Sequence, residues 1–492
     1  MNTATTGTIG ESVIIRTDEG NKDGQNKCPK CGATDISLNA QNGLLRCNFC
    51  RHEFEPEKPI GIEPDLSQLK GHIIGSGATD IIADTNDVLT FKCSSCGAEV
   101  VIDTSQAAQA RCHWCRNTLS VNQQISNGSI PDMVLPFNMT REAAKAEIEK
   151  FVEKRKFFAY PKFKEEFTTQ NVMGVYFPYM VVDVNSHAKL TGQGERLVRR
   201  YTRGSGNNQK TYYDADLYDV EREFDLMIDD LTIESSSDKL QNSANSTNNI
   251  INAVMPFDTE NSLKWDANYL KGYTSEKRDT NIEHLRGIVD IQSKDIARHR
   301  ANETLGEYNR GVCWSSEKLD VKGQSWKAAY LPIWLYSYRQ MKSGGNNLLH
   351  YVAVNARTKE TTGSVPIHTP KLLLFSLIAQ IVGIIGALIV GQILYVMDID
   401  SEISLLLLLS GVAFFIFNYL KYRNAHKRHK HEHNTRALMD NIQGSDKLVK
   451  RLTGLRNARM NGANNLSVGS NRSAVGSSLM DMLPDSVKNH IE

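Results

Sequence analysis

The sequence predicts a multidomain chain: two four-cysteine zinc ribbons, each a small β unit, then two α+β units, then a C-terminal two-helix transmembrane hairpin. Three observations carry this. Eight of the nine cysteines form two copies of one knuckle pattern, two long stretches near the C-terminus hold no charged residue, and short Pro-Phe and Tyr-x-Pro motifs recur in the region between. A chain of 492 residues exceeds what one core usually supports, and 40% apolar with 23% charged residues is enough for several.

The first copy runs Cys28-x2-Cys31-x15-Cys47-x2-Cys50 and the second Cys93-x2-Cys96-x15-Cys112-x2-Cys115, with every cysteine displaced by 65 positions. A four-thiolate tetrahedral site needs two tight turns that each offer two sulfurs, and the Cys-x2-Cys spacing supplies them. Gly32 and Gly97 follow the first knuckles, where the absence of a side chain relieves the turn. In a reducing compartment such knuckles bind metal and do not form disulfides. Two structural Zn2+ ions are therefore expected on these eight cysteines, with ribbons at 28–58 and 91–122. Residues 1–27 are polar and read as a disordered tail, with no apolar core for a cleaved signal peptide. The linker 59–90 carries Ile73, Ile74, Ile81 and Ile82, which suggest short strands packed between the ribbons.

From about 131 the texture changes. Thr140 is placed to cap a helix in which Ala144, Ile148, Phe151 and Val152 recur at helical spacing as far as Phe158. Strands follow from Val175. Pro136-Phe137-Asn138 is echoed by Pro256-Phe257-Asp258, and Tyr176-Phe177-Pro178-Tyr179 by Tyr330-Leu331-Pro332-Ile333. These echoes divide the region into α+β units at 131–230 and 250–366, separated by a Ser/Asn-rich linker at 231–249. The second unit carries an insertion that includes a helix over 281–303, and a hairpin over 351–365 ends it.

Residues 372–397 and 403–420 contain no Asp, Glu, Lys, Arg or His. At about 1.5 Å per residue the first run spans a hydrocarbon core of roughly 30 Å, and the second, at about 27 Å, just about does. The loop between them holds Asp398, Asp400 and Glu402, whereas Lys421, Arg423, Lys427, Arg428 and Lys430 crowd the exit. The positive-inside rule then puts both termini in the cytoplasm of a multi-pass protein of the bacterial plasma membrane. Ala379, Gly383, Ala387 and Gly391 line one face of the first span. That face suits close packing against the second span, or alternatively a homo-oligomer seam. The remaining 421–492 is basic, with His426, His429, His431 and His433 in a collar suited to anionic lipid headgroups, then polar and mostly disordered.

Both second knuckles read Arg-Cys-x-aromatic-Cys-Arg, giving Arg46, Phe49 and Arg51 in the first ribbon and Arg111, Trp114 and Arg116 in the second. These six residues could contact a partner or stack a base and clamp a phosphate. The favoured reading is that the arginines offset each zinc–thiolate cluster while the aromatics cover the ribbon cores. Eight thiolates and two zinc ions would move the formal charge from +1 to −3, which leaves no global positive field for nucleic acid. His113 is expected to be exposed, since four sulfurs already close its site.

Cys28-Pro-Lys-Cys-Gly and Arg46-Cys-Asn-Phe-Cys-Arg resemble the ribbon of bacterial membrane proteins described as TFIIB-type zinc-ribbon-containing, some of them labelled primosomal replication-restart helicases. The resemblance covers about a fifth of the chain and implies a membrane-anchored double-ribbon protein. It does not extend to helicase activity, because the chain has no Gly-x4-Gly-Lys-Ser/Thr phosphate loop.

No catalytic set emerges. Cys313 has no base partner in sequence and reads as a small buried residue. Asp214 and Asp216 belong to an acidic stripe with Asp219, Glu221, Glu223 and Asp225 that reads as a solvated face, and Gly75-Ser-Gly77 and Gly192-Gln-Gly194 are too short for phosphate loops. The expected function is a membrane-tethered adaptor that recruits a cytoplasmic protein. The alternatives are a membrane-bound nucleic-acid binder using the knuckle arginines and aromatics, and an enzyme of unknown class in the α+β units.

Overall fold

The computed structural model describes residues 12–15, 28–33, 36–39, 42–57, 65–81, 88–92, 99–103, 110–113, 118–119, 124–125, 131–166, 171–204, 209–236, 254–270, 272–276, 278–340, 348–396, 407–422 and 435–454. The fold is mixed α+β, built on one 14-stranded sheet. Its centre is four long strands, β1 (Val172–Arg203), β2 (Lys210–Glu234), β3 (Val312–Gln340) and β4 (Arg436–Thr453). They lie side by side in the order β3-β1-β2-β4, every pair antiparallel. Val175 to Val184 is buried throughout, as a run of aromatic and β-branched residues covered on both faces must be. Beyond Ala188 burial alternates, and one face of the strand meets solvent.

The two echoed motifs are direct neighbours in this sheet. Tyr176 pairs with Pro332, Phe177 with Leu331 and Pro178 with Tyr330, so the repeats run antiparallel about the Phe177–Leu331 pair. Both α+β segments thus build one sheet. The outer edge of β3 is covered in turn by Gly71–Gly75, Met133–Val134 and Leu348–Asn355. The last of these forms the expected hairpin with Thr361–Gly363.

Helices cover one face. Helix α1 (Arg141–Glu153) starts where Thr140 Oγ1 accepts the Ala143 N–H at 3.3 Å, and it buries Ala144, Ile148 and Val152. It stops five residues before Phe158, and a short helix, α2 (Pro161–Glu166), begins with a proline whose missing N–H costs nothing there. Helix α3 (Ile282–Asn302) fills the predicted insertion and packs Leu285, Val289, Ile296 and Ala297 onto Val182, Val184, Leu226 and Trp326. The opposite face buries Phe177, Tyr179, Leu331 and Leu335 against Val254, Met255 and Phe257.

Two segments expected to lack structure are strands. Ser12–Ile15 runs parallel to Gly71–Gly75, which pairs with β3 as well. Arg436–Thr453, in the tail expected to be mostly disordered, is β4. Composition misleads there because β4 buries almost nothing: Leu438 is 69% exposed and Leu448 52%. Backbone pairing to β2 and ion pairs hold it instead, through Arg436 with Asp229, Asp230 and Glu260, Asp446 with Arg222, and Arg451 with Asp216.

Helix α4 (Thr369–Val396) contains the single described segment long and apolar enough to cross a membrane, Thr369–Gln392, with a mean hydropathy of 2.6. Only 11% of its most apolar stretch is buried, and Leu373, Leu377, Ile381, Ile385 and Leu388 are each half exposed or more. A helix in a soluble core would hide these side chains. Helix α5 (Ser410–Tyr422) is the described part of the second apolar run and packs along α4. Ser410 Oγ donates to the Ala379 carbonyl at 3.0 Å, and Gln380 spends its amide on Leu408 O and the Gly411 N–H. A Cβ at Gly383 would overlap Ser410, so the small residues Ala379 and Gly383 allow this close approach.

Candidate metal centre

The first ribbon is a three-stranded antiparallel sheet of Ile36–Leu38, Leu45–Cys47 and Glu53–Phe54. Cys28 and Cys31 sit in the turn before it. Gly32 has φ +73° and donates its N–H to Cys28 O at 2.8 Å, the geometry its position after the knuckle calls for. The second knuckle closes in the same way, with Arg51 at φ +61° donating to Cys47 O at 3.0 Å. A side chain in this left-handed region costs about 1–2 kcal/mol, which the ribbon tolerates at Arg51.

The four sulfurs of Cys28, Cys31, Cys47 and Cys50 all lie within 4.8 Å of one another. Cys28–Cys50 and Cys31–Cys47 are each 3.6 Å apart. A zinc tetrahedron with Zn–S of about 2.3 Å has edges of about 3.8 Å, whereas a disulfide needs about 2.05 Å. The group therefore fits a four-coordinate metal ion. The Cys50 N–H, 3.5 Å from Cys47 Sγ, lowers the Cys47 thiol to about 7, helped by the Phe49 N–H. The Ala33 N–H favours the Cys31 thiolate too, but burial and the three neighbouring sulfurs outweigh it and push that thiol up to about 12. Four thiols crowded together resist ionising in series, and a divalent cation among them relieves that repulsion.

Ile36 and Leu45 are 1% and 3% exposed and join the same core as Tyr269, Leu270 and Tyr330. These residues fill the ribbon core, so Phe49 at the knuckle tip covers nothing and is 81% exposed. The expectation that this aromatic caps the ribbon core fails for that reason. Arg51 is exposed beside it, while Arg46 is half-buried and its Nε has no hydrogen-bond partner.

Of the second set of cysteines only Cys112 is described, fully buried beside Phe177 and Leu335. Cys93, Cys96 and Cys115 lie outside the described residues, as do Gly97, Trp114, Arg116 and the side chain of Arg111. Strands Val88–Lys92 and Glu99–Asp103 pair with each other and reach the main sheet through Thr274–Glu276. His113, expected to be exposed, is 1% exposed: its ring packs edge-on to Phe177 at 5.8 Å, and Nε2 lies 3.9 Å from Glu276 Oε2. The main sheet folds against Cys112 and His113, which a reading of the ribbon as an isolated unit does not anticipate.

Other sequence candidates are structural. Asp214 and Asp216 are buried and not solvated, because β4 and its neighbours bring Arg199 to 2.6 Å from Asp214, and Arg451 to 2.8 Å and Arg196 to 3.6 Å from Asp216. Glu221, Glu223 and Asp225 pair with Lys189, His187 and Lys322. Gly77 donates its N–H to Asp132 Oδ1 at 2.7 Å, so a carboxylate of the chain itself occupies that glycine turn. Gly192 lets β1 pass close to the Cys313 backbone. Cys313, expected to be buried, is exposed at the start of β3. His426, His429, His431 and His433 lie outside the described residues.

Sequence reasoning missed one cluster. Asp183, Asp229 and Asp230 bring carboxylate oxygens within 4.8 Å of one another. Lys327 lies 3.4 Å from Asp183, and Arg436 lies 3.3 and 3.2 Å from the other two, so cations from the chain fill the cluster. Burial raises the Asp229 carboxyl to about 6 and also raises Asp230. The only local signal is the acidic doublet at 229–230; its partners are distant in sequence.

No protein-family model and no solved structure matches the chain. It is similar to the "Uncharacterized protein YdjG" of Bacillus subtilis (strain 168), 22% identical over 356 residues that cover 70% of this chain and 91% of that protein.

Proposed function

We propose that the chain is a membrane-tethered zinc-ribbon adaptor that holds a cytoplasmic protein partner at the bacterial plasma membrane. The observation that carries the reading is the coexistence of a bare apolar helix with a metal-competent ribbon whose tip offers an exposed aromatic. Leu372–Met397 and Ile403–Leu420 would form the two-span hairpin with both termini in the cytoplasm, where thiolates stay reduced. Reporter fusions near each end should both score as cytoplasmic, and an external signal from either end overturns that orientation. The second cysteine set would hold a second Zn2+, in keeping with the resemblance to TFIIB-type zinc-ribbon membrane proteins. Ala387 and Gly391 leave room for a homo-oligomer contact along α4.

Phe49 and Arg51, exposed on one knuckle, also suit a stacked base with a phosphate beside it, which favours nucleic-acid binding as the second reading. Salt separates the two. The full-length chain in lipid nanodiscs should bind a single-stranded oligonucleotide weakly at physiological salt if it is an adaptor. Tight binding that falls steeply with salt, and is lost when Arg46, Arg51, Arg111 and Arg116 are all changed to Gln, would favour the nucleic-acid reading instead.

A further inference from the structure

The loop between α1 and α2 meets the first turn of α4 and the last turn of α5. Lys371, in the first turn of α4, donates to Phe157 O at 2.8 Å and places its ammonium 3.9 Å from the Phe157 ring centroid. Arg155 Nε donates to Lys421 O at 2.7 Å in the last turn of α5. Phe158 is buried between the helices, with its ring 5.7 Å from Phe375 and 6.1 Å from Phe414. The uncharged runs begin at Leu372 and end at Leu420, so this loop lies level with the boundary where the helices leave water.

Phe157 does not share the burial of Phe158. It is 55% exposed, although its ring touches Phe375 at 5.1 Å. Around it, residues 154–164 hold five basic residues and no acidic one, and Lys154, Lys156, Lys162 and Lys421 are exposed. Glu153, Glu165 and Glu166 flank the segment outside this stretch. An exposed phenylalanine beside the mouth of a membrane helix, with lysines in the same loop, suits the bilayer boundary: the ring can enter the apolar side while the ammonium groups stay among the headgroups.

We infer that residues 154–164 are an interfacial foot: Phe157 enters the headgroup boundary, and Lys154, Lys156, Lys162 and Lys421 bind the phosphates of anionic lipids. The inference rests on the membrane reading of α4 and deepens it. The foot presses the sheet down onto the bilayer and fixes which way the soluble part faces. Long-range attraction of lysines to anionic leaflets acts within about one Debye length, which a foot at this level satisfies.

The test uses the full-length chain in nanodiscs of phosphatidylcholine, with or without phosphatidylglycerol. The indole introduced by Phe157→Trp should add emission, over the wild-type background, that lipids brominated high on the acyl chain quench more strongly in the anionic discs. In a second measurement with Phe157 intact, changing Lys154, Lys156 and Lys162 to Gln should roughly halve the enrichment of phosphatidylglycerol retained from mixed membranes. An unquenched indole in chains that stay in the discs, or unchanged lipid enrichment in the triple variant, overturns the foot and leaves the membrane anchor standing. Failure of the wild-type chain to enter discs overturns both.

Discussion

Tyr422 Oη accepts the backbone N–H of Phe158 at 2.6 Å, while the Phe158 carbonyl accepts the His368 N–H at 2.8 Å. One buried residue of the sheet domain is thereby tied to the chain just before α4 and to the last residue of α5. The apolar helices are docked on the domain and do not trail from it.

Tyr422→Phe keeps the ring against Phe158 but leaves the Phe158 N–H without a partner. Orphaning a buried donor costs about 2 kcal/mol, so the variant should unfold at a lower temperature in detergent while retaining its full zinc content. An unchanged melting temperature would mean that the tie contributes nothing.

A pH dependence follows from the ladder on β1 and β2. His187 Nδ1 lies 2.8 Å from Asp225 and Nε2 lies 3.0 Å from Glu223, with Lys189 and Lys322 completing the network. The Asp225 hydrogen bond, then that of Glu223, raises the imidazole above its ordinary 6.5. A raised folded-state value stabilises fully below the unfolded value and is lost as pH rises through the folded one. Stability should therefore decline above about pH 6.5. In His187→Gln that part of the decline should vanish from the melting profile; a profile parallel to wild type would refute the assignment.

Much of this fold was legible in the sequence, and its failures share a cause. The knuckle spacing found the first four-cysteine group, which could hold a metal ion, the Thr140 cap and its apolar period found α1, and the uncharged runs found α4 and α5. Local chemistry carries each of these. What was missed depends on partners far along the chain: β4 is held by Arg222 and Asp216, His113 is buried by β1, and Asp214 and Asp216 are covered by arginines from β1 and β4. Phe49 was misread because Ile36 and Leu45 fill the ribbon core, which the knuckle motif alone does not reveal.

Metal analysis of the purified chain should return two zinc ions. Cys47→Ser should lower this to one and loosen the ribbon around Ile36 and Leu45, visible as faster amide exchange over 36–54, because the binding energy of such a site is also folding energy. A wild-type content of one or none would remove the double-ribbon reading.

The central claim is recruitment, and the most direct test places a photo-reactive phenylalanine analogue at position 49 of the full-length chain in the cells that make it. The adaptor account predicts a nuclease-resistant adduct with one discrete protein in the membrane fraction, absent in Cys47→Ser. It also predicts that this protein moves to the cytosol when the chain is removed. A nuclease-sensitive adduct, or a partner whose membrane fraction is unchanged without the chain, would contradict it.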